Sequence, residues 1–300
     1  MKKKILIIIA VVLLLAGLGF LLFPPVSNFI GKQIAKGQAE AFDYKISHMI
    51  TEDDDGGTGV TEKTYAAALE AKQIDRQGYP VNSSGNRTSD KPVVFKADLD
   101  RLRRDSIAYN EDLKQSQGSK FSESRDYNSV SALNLRDYGI YDGIYGYISA
   151  PSIDMTLPIY LGTSDENMSY GAAHMTYTSL PLGGRDTNSV AVGHTGYVGR
   201  IFFDNIRNFN IGDKIKVRNY WETMTYEVVE MNSFKPYESA SAFISEGEDL
   251  FTMSTCTPLS DGDYGRFFVK CRRVAEESSE PETTSPTVPS ETPATTEENK

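Results

Sequence analysis

The sequence predicts an all-β domain, a β-barrel or sandwich, preceded by N-terminal helices. Three observations predict it. From Gly143 onward, short runs rich in β-branched and aromatic residues recur between clusters of Gly, Pro, Asn and Asp, the pattern of strands joined by turns. Before Gly143 the apolar residues fall at helical spacing in "ADLDRLRRDSIAYNEDLKQ", where Leu99, Leu102, Tyr109 and Leu113 share one face. The chain opens with three lysines and an apolar run from Ile5 to Phe23 that carries no charge.

In chain order, that opening run covers about 28 Å as a helix, close to the ~30 Å hydrocarbon thickness of a bilayer. It predicts an uncleaved signal anchor over 1–25, with the lysines holding the N-terminus in the cytoplasm and the remainder exported. "VSNFIGKQIAKGQAEAFDYKISHMI" reads as a helix leaving the membrane. "TEDDDGGTG" and "VNSSGNRTSDKP" are turn-rich and polar and flank a possible helix, "EKTYAAALEAKQIDRQ". These stretches make 26–142 a helical, loop-rich N-terminal region. The strand-like runs of 143–274 are "IYGYISA", "DMTLPIYL", "SVAVGHT", "KIKVRNY", "MTYEVVEMN", "DLFTMSTC" and "RFFVKCRRV", with "IFFDNIRNF" as a short helical interruption. Residues 275–300 contain no apolar run and are expected to be disordered.

Charge excludes one class of partner. The net charge is −10, and residues 276–300, with seven Glu and one Lys, contribute −6 of it. No basic stripe or aromatic-basic platform exists outside the membrane flank, so nucleic acid is not expected to bind.

Two cysteines in an exported chain would ordinarily pair. If "LFTMSTC" and "RFFVKCRRV" are antiparallel neighbours joined through 257–265, Cys256 faces Arg266 and Cys271 faces Phe251. The two sulfurs are then roughly five strand steps of ~3.4 Å apart, beyond the ~7 Å Cα limit for a bridge. Cys256 is therefore expected to be a free thiol and Cys271 a small core residue.

A nucleophilic thiol needs a base or a cation beside it, and the chain has three histidines. His48 reads as a polar surface residue of the juxtamembrane helix. His174, among turn residues in "GAAHMTYTSLPLGG", is either a hydrogen-bonding structural residue or a catalytic one. His194 ends the strand "SVAVGH" where it meets the loop "TGYVG", as a catalytic group or a capping one. Arg266, opposite Cys256, is either a surface arginine or a donor to the oxyanion of an acyl transfer. Metal-ligand spacing and a glycine-rich phosphate loop are both lacking, so no metal or cofactor is expected.

With these residues in view, the sequence resembles the sortases, cysteine transpeptidases of Gram-positive cell surfaces. The resemblance covers roughly 143–274 and rests on "LPIYLGTSDENMSYGAAHMTYTSLPLGG", "NSVAVGHTG", "NFNIGDKI" and "DLFTMSTCTP" followed by "RFFV". The "TSLPLGG" and "GHTG" segments are most similar to class C, the pilus-assembly subgroup. The resemblance implies an eight-stranded sortase β-barrel with short helices, Cys256 as nucleophile, His194 as the histidine and Arg266 as the arginine of the catalytic group, with His174 outside it. It also implies an LPxTG-like sorting signal as donor and, as acceptor, an amine from a pilin lysine or a peptidoglycan precursor.

The chain departs from class C in three places. The lid motif Asp-Pro-aromatic is missing, and "SRDYNSVS", with Asp126 and Tyr127, is the nearest lid-like text. The acidic tail stands where many class C enzymes carry a second membrane helix, and 47–97 has no family counterpart. Alternatives are a housekeeping or class B-like anchoring sortase and, in another class, a non-catalytic surface adhesin or scaffold.

Overall fold

The computed structural model describes residues 2–48, 62–75, 77–94, 96–123, 130–196, 202–235, 242–260 and 262–274. The lid-like Asp126 and Tyr127 and the acidic tail lie outside the described residues. Eight strands close into a barrel: β1 (Ile144–Ala150), β2 (Met155–Leu161), β3 (Ala172–His174), β4 (Thr187–Val192), β5 (Lys214–Asn219), β6 (Thr223–Phe234), β7 (Asp249–Pro258) and β8 (Tyr264–Arg273). Their order around the barrel is β1-β2-β3-β4-β7-β8-β6-β5. The β2–β3 and β4–β7 pairs are parallel and the others antiparallel.

Seven of these strands coincide with the runs read from the sequence. β3 does not, because three residues between turns carry too little alternation to register as a strand. It forms because the sheet needs an element between β2 and β4, and His174 thereby belongs to a strand end, pairing with Leu161 and Ala191. The interior is filled by inward-facing Ile148, Leu157, Ile159, Phe203, Val217, Val228, Phe251, Met253 and Val269, all buried. Closure also removes the exposed edges that an open sheet of this length would present.

α1 (Lys2–His48) is continuous from the apolar run into the part that packs on the barrel. It is long and apolar enough to cross a membrane. Its C-terminal half is fastened by four groups: Lys32 to Asp154 at 2.6 Å, Gln38 to the Tyr160 hydroxyl at 3.1 Å, Asp43 to the Tyr147 hydroxyl at 2.8 Å, and Lys45 to Asp142 at 2.7 Å. The last pair is buried, with side chains 3% and 2% exposed, and Lys45 Nζ also donates to the Gln77 carbonyl at 2.6 Å.

α2 (Glu62–Glu70) is shorter than the sequence reading, and α3 (Leu99–Glu123) is longer. α3 extends because its polar face has partners on the barrel. Asn110 pairs with the Leu180 backbone in both directions, at 3.1 Å and 2.7 Å, and Gln117 joins the Tyr177 carbonyl to the Ile244 amide, each at 2.9 Å. Side-chain amides thus supply the backbone partners that "TSLPLGG" lacks outside the sheet. Gly183 closes this segment with φ +67°, where an added Cβ would lie 2.8 Å from the Met224 sulfur.

Candidate active site

β7 and β8 pair in the register expected from the loop length, with Cys256 opposite Arg266 and Phe251 opposite Cys271. Both cysteines are free, Cys256 exposed and Cys271 buried. Burial alone pushes the Cys271 thiol well above the usual range, which makes it unreactive. At Cys256 the buried run of β7 ends and the side chain faces solvent. Arg266 Nη1 donates to Cys256 Sγ at 3.2 Å.

The third residue arrives on β4, which runs parallel to β7 with Val192 beside Ser254. The two chains stay in step beyond that pair: Gly193 N donates to the Ser254 carbonyl at 3.1 Å, and Thr255 Oγ1 donates to the Gly193 carbonyl at 2.7 Å. His194 and Cys256 each lie two residues past the paired Val192 and Ser254, on adjacent parallel chains. His194 is held from behind, its carbonyl accepting from Phe203 N at 2.9 Å and its ring lying edge-on to Phe202 at 6.4 Å. Gly193 has to be glycine for a steric reason, since an added Cβ would lie 2.7 Å from the Phe203 ring.

The structure thus brings Cys256, His194 and Arg266 to one end of the barrel. The other two histidines lie elsewhere. His174 is buried in β3, its Nε2 3.0 Å from the Ser179 carbonyl and 3.2 Å from that of Thr178, and burial lowers its pKa to about 4. It is a neutral packing residue that fastens the "TSLP" segment. His48 stacks on Tyr44 at the end of α1, ring centroids 4.0 Å apart.

Sequence reasoning missed one residue of the site. Arg207, in the 3-10 turn Ile206–Asn208, donates from Nη2 to the Cys256 carbonyl at 3.4 Å and lies over the Phe267 ring at 4.7 Å. A lone arginine in a helical interruption gives no signal of its own; only the folded position beside β7 reveals it.

A family model described as Sortase domain matches residues 148–274. Residues 148–274 carry a sortase domain. Over 162 residues it is 24% identical to a sortase A of Streptococcus agalactiae, covering 53% of this chain and 64% of that relative's length. A solved pilus-related sortase C of Group B Streptococcus is 29% identical, with a TM-score of 0.51 over 59% of this chain and 90% of that one. Sortase C1 of Pilus Island 1 from the same organism is 26% identical, with a TM-score of 0.51 over 59% and 89%. The barrel is the sortase fold, and the matched region runs from β1 to one residue past the end of β8.

Proposed function

We propose that this sortase is a membrane-anchored cysteine transpeptidase of the pilus-assembly type. The observation that carries the reading is the 3.2 Å contact from Arg266 Nη1 to the exposed Cys256 sulfur, beside the strand that bears His194. A guanidinium at that distance suits a thiolate, and then the oxyanion that forms when the thiolate adds to a carbonyl.

The reaction runs in two acyl transfers. Cys256 Sγ attacks the Thr carbonyl carbon of an LPxTG-like signal, giving a tetrahedral oxyanion beside Arg266. The Thr–Gly C–N bond breaks, the departing Gly nitrogen takes a proton from His194, and the acyl group remains on Cys256 as a thioester. An incoming amine gives its proton to His194 and attacks the thioester carbonyl. The C–S bond breaks and a new amide forms. The thioester conserves the free energy of the cleaved peptide bond, so no nucleotide is consumed. Thr255 and Arg207 act as positioning residues, fixing the strand from which the thiol projects.

The pilus-related neighbours and the "TSLPLGG" segment support a pilin lysine as acceptor. The sortase A relative supports a second reading, attachment to a peptidoglycan amine. The test is cleavage and transpeptidation of an LPxTG-like peptide by the full chain, with a lysine-bearing pilin and a peptidoglycan-type amine offered in competition. Cys256→Ala, which keeps the barrel, is expected to abolish both steps. Full activity in that variant would sink the proposal and return the chain to the scaffold reading.

For the chain as a whole we propose an anchor at 1–25 with the N-terminus cytoplasmic, an accessory region at 26–142, an extracellular catalytic barrel at 143–274 and a tail beyond it.

A further inference from the structure

The direction of each strand sorts the barrel into two ends. β1 finishes at Ala150 and β2 starts at Met155. β4 finishes at Val192 and β7 at Pro258, running together, while β8 starts at Tyr264 and β5 at Lys214. Because β2 is parallel to β3 and β3 antiparallel to β4, all of these termini belong to the same end. Cys256, Arg266 and His194 thus share an end with the turn at 151–154.

α1 lies along the outside of the barrel in a fixed sense. Its Lys32 pairs with Asp154 at that end, Gln38 reaches Tyr160 further along β2, and Lys45 pairs with Asp142 at the opposite end, just before β1. Followed toward its N-terminus, α1 therefore leaves the barrel at the end that bears Cys256.

The sequence sets how far it then travels. Ile5–Gly31 contains no charged residue. At ~1.5 Å per residue this stretch covers about 40 Å, comparable to the ~40–45 Å of a bilayer with both headgroup layers. The first charge after it, Lys32, is the residue already bound to the barrel at Asp154. Val26, Phe29 and Ile30, at helical spacing and all exposed, carry an apolar face up to the barrel's edge. Ile211, just before β5 at the same end, is an apolar side chain 60% exposed. Between the apolar run ending at Phe23 and Lys32, only Pro24, Pro25, Ser27, Asn28 and Gly31 interrupt the apolar residues, so the spacer between the membrane-spanning length and the catalytic domain is short and uncharged.

We propose that the barrel end bearing Cys256 rests on the outer headgroup layer of the phospholipid bilayer, with Ile211 and the turn at 151–154 at the lipid surface. This rests on the reading of α1 as a membrane anchor. The exposed thiol of Cys256 then lies at the membrane-facing end, and the opposite end, with Arg185 before β4, points away from the lipid.

The test uses the full chain in vesicles of phosphatidylcholine and phosphatidylglycerol. A fluorophore is attached at Leu14→Cys, Ile211→Cys or Arg185→Cys, each in a Cys256→Ala background where the remaining Cys271 is buried. Quenching is read with nitroxides on lipid acyl chains or headgroups. Acyl-chain nitroxides should quench the label at 14, and headgroup nitroxides should quench the label at 211 several-fold more than that at 185. Equal quenching at 211 and 185, or stronger quenching at 185, with 14 still quenched, overturns the orientation and leaves the anchor standing. Absence of quenching at 14 overturns the anchor and the orientation with it.

Discussion

Gly193→Ala adds one methyl group behind the histidine of the proposed catalytic group. The new Cβ would sit 2.7 Å from two atoms of the Phe203 ring, closer than carbon atoms pack. Phe203 is fully buried and its amide is bonded to the His194 carbonyl, so neither the ring nor the strand can give way alone. Overpacking of this kind costs about 1–3 kcal/mol. Relief of the clash moves the turn carrying His194 away from Cys256, and a displacement of ~1 Å at a reacting group costs on the order of 100-fold in rate. The expected outcome is a fall of that size in kcat/KM for the peptide substrate, beside a moderate loss in chemical denaturation. Phe203→Leu in the same chain removes the obstructing ring edge and should recover most of the activity. A Gly193→Ala enzyme with unchanged kcat/KM and stability within about 0.5 kcal/mol would refute the steric argument.

Further outcomes follow from single contacts. Arg266→Lys loses the donor on Cys256 Sγ and should lower kcat/KM by ~100- to 1000-fold without altering the unfolding midpoint. Lys45→Met strands the buried Asp142 carboxylate and should cost about 3–5 kcal/mol in denaturant unfolding, whereas replacing both partners by apolar residues should cost much less. His174 has a pKa of about 4 in the folded state and ~6.5 unfolded. Its contribution is therefore full above pH ~6.5 and is lost as pH falls toward 4, to a total of about 3 kcal/mol. His174→Gln should flatten that part of the stability–pH curve, measured by denaturation at pH 7.5 and 4.5. Iodoacetamide at neutral pH should modify Cys256 and leave Cys271 untouched in peptide mapping, since Cys271 is buried with its thiol pKa pushed up.

Much of the barrel was legible because seven strands alternate strongly and are bounded by turn residues. The pairing of Cys256 with Arg266 was legible for a stronger reason: a short antiparallel connection leaves one register that keeps both apolar faces inward, and that register is observed. β3 was illegible because its three residues gain their extended form from neighbours distant in sequence. The same applies to α3, which runs to Glu123 through Gln117, a polar side chain whose partners at Tyr177 and Ile244 no local pattern announces. Arg207 and Thr255 entered the site by the same route. The Thr255 contact to Gly193 comes from the parallel packing of β4 on β7, and the Arg207 contact to Cys256 from the 206–208 turn lying beside β7, both between segments far apart in the chain. The proposed nucleophile drew notice in the sequence because an unpaired cysteine in a chain expected to be exported needs a reason to persist.

The central claim is that Cys256 carries the acyl group. Intact-mass spectrometry of the full chain, mixed with an LPxTG-like peptide and quenched in acid before an amine is added, tests it most directly. The account predicts a mass increase equal to the peptide's N-terminal acyl portion, mapped to Cys256, discharged by an added amine and absent from Cys256→Ala. Turnover of the peptide by Cys256→Ala, or an adduct on any other residue, would contradict it.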